Sequence, residues 1–447
     1  MQQIIDGLKR SVSIKAFAIG VLILILLIPV SMIKGVVYDR IQVHNEARAD
    51  IMRSWGGEQL LTGPILVLPY QVVYRNDYGN SVVETEYAYV LPSDLNIEIQ
   101  TDPEVRYRGN HKVPIYSATM AISGEFSSPD ASILPANITH VEWQKAFVAL
   151  SVSDARAIAH TPVINVGGSM SRFKPGGTPI LSDAETPIVA ALATDLESYR
   201  DGKALSFEMD LQLNGADGLR ISPLGDTTNV TMTSSWPSPS FVGAYLPRHR
   251  EISEAGFAAS WKISSLGRQL PSQWSGKTGS QGGAQQSAFG VTFYQPVSLY
   301  QLTLRAAKYA VLFIGMSFVA YFLFEMMADL RLHPLQYLLV GFANALFYLL
   351  LLSLAEHIGF LWAYLVSAAA SISLIAGYSA TVLGRRSRGM MMAFVLAALY
   401  SFLYMTLKAE TYALLAGSLG LWITLAIVMF LTRRIDWYGR GVPTKDG

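Results

Sequence analysis

Six long, predominantly apolar stretches of this 447-residue chain contain no Asp, Glu, Lys or Arg: Ala16 to Ile33, Tyr309 to Phe324, Leu335 to Ala355, Ile358 to Leu383, Gly389 to Leu407 and Thr411 to Thr432. Crossing about 30 Å of hydrocarbon takes roughly 20 apolar residues, and a charge within it is costly, so each stretch predicts a transmembrane helix. The second is short, and Ala306, Ala307 and a snorkelling Lys308 complete it. Composition agrees: 51% of residues are hydrophobic and 15% charged, where a soluble chain carries about a quarter charged. Lys9, Arg10 and Lys15 before the first apolar run resemble the basic start of a signal peptide. Ser31-Met32-Ile33-Lys34-Gly35 supplies no small-x-small cleavage site, so the first helix reads as an uncleaved anchor.

Basic residues orient the helices, because Lys and Arg accumulate in short cytoplasmic loops. With the N-terminus inside, the cytoplasmic segments hold Lys9, Arg10, Lys15, Arg331, Arg385, Arg386, Arg388, Arg433, Arg434, Arg440 and Lys445, whereas the short outer loops hold Lys408. This predicts a cytoplasmic N-terminus and anchor at 1–33, an extracytoplasmic domain at 34–308, a five-helix bundle at 309–432 and a cytoplasmic tail at 433–447. In a Gram-negative cell the large domain is periplasmic and the membrane is the inner one.

The 34–308 segment is mildly acidic and holds most of the chain's 20 prolines, the composition of an ordinary soluble domain. Val37, Ile41, His44, Arg48, Ile51 and Trp55 recur at helical spacing, and Gly56-Gly57 stops that helix. Alternating or β-branched runs follow at Ile65 to Leu68, Val82 to Val90, Leu95 to Ile99, Phe147 to Val152, Leu205 to Leu213 and Val230 to Thr233. A helix-like piece is expected at Pro187 to Tyr199, and a flexible Gly/Gln/Ser-rich insert at 272–290. The fold class is therefore a multi-pass membrane protein, one helix plus five, with a mainly antiparallel, sandwich-like β domain between helices 1 and 2.

Chemistry is harder to find. With 34 Lys+Arg against 33 Asp+Glu the net charge is +1, so no basic excess points to nucleic acid, and the absence of cysteine removes disulfides, thiolate metal sites and a Cys nucleophile. The seven histidines lack ligand spacing, and no catalytic motif appears. Gly276-Lys277-Thr278 matches the tail of a phosphate-binding loop, but Pro271 stands where that loop needs glycine. The expectation is no catalytic residue, no metal, no cofactor and no nucleotide.

Three groups of residues stand out. Trp236, Phe241 and Tyr245 lie in a Pro-rich aromatic loop that either anchors a partner or packs on its own core. Charged groups gather at the helix boundaries: Glu325, Asp329, Arg331 and His333 at one face, Glu356 and His357 at the other, as polar sites or as plain helix ends. Ala369, Ser373, Gly377 and Thr381 repeat every four residues on helix 4 as a close-packing face for the bundle or for a dimer.

Several motifs resemble the CreD family of bacterial inner-membrane proteins. They are Ser54-Trp55-Gly56-Gly57-Glu58-Gln59 with Gly63-Pro64, Trp236-Pro237-Ser238-Pro239-Ser240-Phe241-Val242-Gly243, Leu332-His333-Pro334-Leu335-Gln336-Tyr337-Leu338-Leu339-Val340-Gly341 and Leu354-Ala355-Glu356-His357-Ile358-Gly359-Phe360. The resemblance implies control by a Cre-type two-component system and a role in envelope integrity, with colicin tolerance and β-lactam response, and it carries no catalytic residues. Three readings stay open. The first is a non-enzymatic envelope protein whose β domain binds an envelope partner or whose chain pairs with a second copy, with membrane lipid around its helices. The others are a transporter or lipid-handling protein, and a periplasmic enzyme acting on glycan or lipid.

Overall fold

The computed structural model describes residues 12–433, except 76–79, 110, 136–137, 177–185, 193–195, 197–198, 200–201, 269, 277–282, 294–298, 328–331 and 410–412. Two compact units emerge, one from residues 1–43 and 297–447 and the other from 44–296.

The first unit is helical. Helix α1 (Val12–Trp55) runs unbroken from the predicted anchor into the helix predicted over Val37 to Trp55, with Pro29 inside it, and Gly56 and Gly57, both at positive φ, end it. After it come α2 (Leu299–Met327), α3 (Pro334–Ile358), α4 (Phe360–Val382), α5 (Arg386–Lys408) and α6 (Ala413–Thr432). Five of these, α1 to α5, are long and apolar enough to cross a membrane, and α6 adds a shorter apolar stretch, Gly417–Phe430. Their inward faces pack Leu26, Phe318, Tyr321, Phe347 and Leu403 into one core. Close approach comes from glycine at two places, and at one of them, Gly420, four residues after Ala416, the small-residue spacing of the sequence points to it. A Cβ on Gly341 of α3 would strike Leu26 and Phe318, and one on Gly420 of α6 would strike Phe402 of α5.

The second unit is a pair of sheets. Its strands, in chain order, are β1 (Gln59–Arg75), β2 (Ser81–Val90), β3 (Asp94–Arg108), β4 (His111–Phe126), β5 (Ile138–Val141), β6 (Phe147–Val152), β7 (Val163–Val166), β8 (Ser169–Arg172) and β9 (Lys174–Pro175). The series continues with β10 (Thr186–Ala191), β11 (Leu205–Ala216), β12 (Gly218–Ile221), β13 (Thr227–Ser234), β14 (Pro239–Gly243), β15 (His249–Ser253), β16 (Gly256–Ser264), β17 (Gln273–Ser275) and β18 (Phe289–Phe293). One sheet runs β14-β18-β12-β1-β6-β10-β9, with β2 and β5 also on β1 and β17 on β2, and the other runs β15-β16-β13-β3-β4-β11-β7-β8. Pairing is antiparallel except for β1 with β12 and β3 with β13.

Alternation makes the core. In β11, Leu205, Phe207, Met209, Leu211 and Leu213 are buried between exposed or half-buried neighbours, as a strand with one covered face requires. Leu66 and Val148 of one sheet and Ile97, Met120, Leu211 and Val230 of the other belong to a single buried cluster, so the sheets form a sandwich. In β1 the ladder shifts register between Thr62 and Ile65. Gly63 there has φ 125° and Pro64 has no N–H to donate, so the pairing gives way at that point.

Two expectations are corrected. Pro187 to Ala191 is not helix but strand β10, whose Ile188 and Val189 fill the open edge of β6, so tertiary pairing overrides the local pattern. The 272–290 segment is not simply an insert. β17 pairs with β2 and puts Trp274 on the Tyr89 ring at 5.1 Å, Ala284 and Ala288 are buried, and Phe289 and Gly290 open β18. One Trp and one Phe anchor a stretch whose Gly, Ser and Gln content reads as linker; Lys277 and Thr278 lie outside the described residues.

Arg268 closes this segment. Its guanidinium, fully buried, donates to Asp226 at 2.7 Å, to Ser272 at 2.7 Å and to the carbonyls of Leu270 and Leu224. Burial pushes its pKa down and Asp226 opposes that. Arg268→Met strands these acceptors and is expected to destabilise the β unit by roughly 2–4 kcal/mol, read by pulse proteolysis of the full chain in nanodiscs across a urea series.

Candidate functional site

Hydrocarbon offers no partner to a polar group, so the polar side chains inside the helical unit identify its sites. Glu325, near the end of α2, is 4% exposed. One carboxylate oxygen accepts from Lys15 of α1 and from the backbone N–H of Leu332 at 3.0 Å; the other accepts from the Tyr337 hydroxyl of α3 at 2.8 Å. A single side chain thus joins three helices. Tyr337 in turn packs edge-on against Phe318 and Tyr321, and the Tyr321 hydroxyl meets Ser379 of α4.

His333, eight residues on, caps α3. Its Nδ1 accepts the Leu335 N–H at 3.3 Å, while Gln336 accepts the His333 N–H at 2.9 Å, a capping box with Pro334 in the first turn. The Leu332-His333-Pro334-Leu335-Gln336 motif is therefore a helix start. Asp329 and Arg331 lie outside the described residues.

At the other end of α3, a helix roughly 37 Å long, Glu356 is largely buried. The Tyr300 hydroxyl of α2 donates to it at 3.3 Å, and Arg40 of α1 approaches at 3.8 Å. His357 is exposed in the last turn, and Gly359, at φ 78°, makes the bend into α4.

Between the ends runs a seam of uncharged polar groups. The Tyr400 hydroxyl of α5 donates to Asn344 Oδ1 of α3 at 3.1 Å, and the Tyr364 hydroxyl of α4 donates to the Tyr400 carbonyl at 2.6 Å. Tyr337, Asn344 and Tyr348 are spaced seven and four residues apart on the buried face of α3. That spacing was readable. Which aromatic helix would supply the partners was not.

The other expectations are placed as follows. Ala369, Ser373 and Thr381 are exposed and nothing lies within 4 Å of a Cβ on Gly377, so this face does not pack the bundle. Helix α4 carries a second face at the same spacing, and its Ser367, Ser371, Ile375 and Ser379 are the buried ones, with Ser379 meeting the Tyr321 hydroxyl of α2. Trp236, Phe241 and Tyr245 lean on the sandwich core: Trp236 on Phe293, Phe241 on Phe257 and Trp261, Tyr245 on Phe289, all edge to face. The Tyr245 hydroxyl also bonds the Gly267 carbonyl, which leaves Leu246 and Leu266, 70% and 96% exposed, as the open apolar groups on the two joined loops. Among the described residues no group of three or more His, Asp or Glu could hold a metal ion.

Lys15→Met leaves the Glu325 carboxylate buried without its cation. It is expected to cost on the order of 3 kcal/mol, and Lys15→Met/Glu325→Leu is expected to recover most of this; thermal unfolding in nanodiscs measures both.

The chain matches the family described as "Inner membrane protein CreD" over residues 11–438. It is 33% identical over 425 residues to the Inner membrane protein CreD of Escherichia coli (strain K12), an alignment covering 94% of this chain and 92% of that protein. A match of that extent, on a chain with one apolar helix before and several after a large β unit, means that it belongs to the CreD family of inner membrane proteins.

Proposed function

We propose that this protein supports cell-envelope integrity without catalysing a reaction, by holding in the inner membrane a periplasmic β unit that binds an envelope protein. The observation that carries the reading is the pair Leu246 and Leu266. Large apolar side chains this exposed, on loops fixed to each other by Tyr245 and braced by the aromatic core, suit a partner surface. The basic residues favour cytoplasmic termini and a periplasmic β unit. The family resemblance supports a link to colicin tolerance and β-lactam response.

The transport or lipid-handling reading draws on a separate observation, the uncharged polar seam of Asn344, Tyr364 and Tyr400 within the bundle. Such a seam suits a neutral polar cargo better than an ion, since no charged side chain takes part in it.

One experiment separates the two. A photo-crosslinking amino acid is placed in living cells at Leu266 and, separately, at His357. A discrete protein adduct at Leu266 supports the binding reading, and a lipid or glycan adduct at His357 favours the second. The variant Leu246→Ser/Leu266→Ser, which alters exposed side chains only, is expected to accumulate normally yet fail to restore a deletion strain's envelope phenotype. Full restoration overturns the partner surface.

A further inference from the structure

The seam between α3, α4 and α5 contains two side chains that the protein itself does not satisfy. Asn344 is 3% exposed, and its Nδ2 has no hydrogen-bond partner; Ser367 is fully buried, and its Oγ has none. Exchanging the amide's two ends only moves the deficit, because Tyr400 can serve one end at a time. Both groups belong to one place. Ser367 lies three residues after Tyr364 on the inward face of α4 and Asn344 three before Phe347 on α3; Phe347 meets Tyr364 at 5.3 Å, Tyr364 bonds the Tyr400 carbonyl, and the Tyr400 hydroxyl reaches Asn344.

An amide donor and a hydroxyl left dry inside a hydrocarbon-embedded bundle are each expensive. Small serines elsewhere in the bundle avoid this by bonding back to their own helix, as Ser317 does to Phe313 at 2.8 Å. Ser367 does not, so its hydroxyl is free to turn to another acceptor or donor. The surrounding groups are neutral and include both donors and acceptors. That combination suits a small neutral molecule able to donate and accept at once, and fits neither an ion nor an apolar chain.

We propose that Asn344 and Ser367, with the Tyr400 hydroxyl beside them, form an internal water site between α3, α4 and α5. A buried water takes about two to four hydrogen bonds, and this cluster supplies that number. The site makes α4 a helix held to the bundle through solvent as well as through packing.

Radiolytic hydroxyl-radical labelling tests this on the full chain in nanodiscs, because side chains beside bound water are modified even when buried. Tyr400 and Phe313 are each 5% exposed, so exposure alone predicts similar labelling. The expected result is several-fold faster modification of Tyr400, falling to the level of Phe313 in Asn344→Leu. The conservative variant Ser367→Ala adds a second readout. A hydroxyl bonded to water stabilises the bundle, so its removal lowers the unfolding midpoint, whereas removing a dry, orphaned hydroxyl raises it. Equal labelling of Tyr400 and Phe313, labelling unchanged by Asn344→Leu, or a raised midpoint in Ser367→Ala overturns the proposal.

Discussion

A carboxylate in a membrane bundle must find its counter-charge and hydrogen bonds among its neighbours, because the solvent that would otherwise supply them is absent. Glu325 meets that demand with Lys15, the Leu332 N–H and Tyr337. The N-terminal helix is thereby fastened to the C-terminal bundle, although more than 300 residues separate the two side chains. The oxygen atom that meets Lys15 also takes the Leu332 N–H, and α3 starts at a capping box one residue later. The buried face of α3 follows from that start.

Along that face, polarity is graded. Charge is confined to the two ends, where Glu325 and Glu356 each pair with a cation from α1, Lys15 and Arg40. The middle uses amide, hydroxyl and phenol groups alone. Helix α1 therefore touches both ends of the bundle through ion pairs, and the aromatic groups of α3, α4 and α5 set the polar interior between them. A bundle built this way keeps ionised groups away from the membrane centre while retaining a hydrogen-bonding core.

The β unit solves a different problem. Its long β1 is central to one sheet and must change partners along its length, from β12 and β6 to β2 and β5, and the register shift at Gly63-Pro64 accompanies the change. Residues 44–55 of α1 are part of this unit, where Arg48 pairs with Asp217 at 2.6 Å and the Trp55 indole donates to the Tyr116 carbonyl and carries the Arg106 guanidinium on its face. The Ser54-Trp55-Gly56-Gly57 motif thus ends the helix within this unit: the tryptophan packs on it, and the glycines at positive φ turn the chain into β1.

Much of this architecture was legible in the sequence, because an apolar span and a two-residue alternation each report a local requirement. The apolar helices, the continuous helix to Trp55, the strands at Ile65, Val82, Leu95, Phe147, Leu205 and Val230 and the family all follow from patterns within a few turns or strands. What needed tertiary structure were the choices between equivalent local patterns. Two faces of α4 share one spacing, and only the neighbouring helices decide which turns inward, as Ser379 meets Tyr321 of α2. Pro187 to Ala191 becomes strand because β6 offers an edge, and Trp274 and Phe289 draw a linker-like stretch into the sheets. Likewise Glu325 read as a boundary charge until the fold brought Lys15 to it, since a long-range ion pair leaves no periodic trace in the chain.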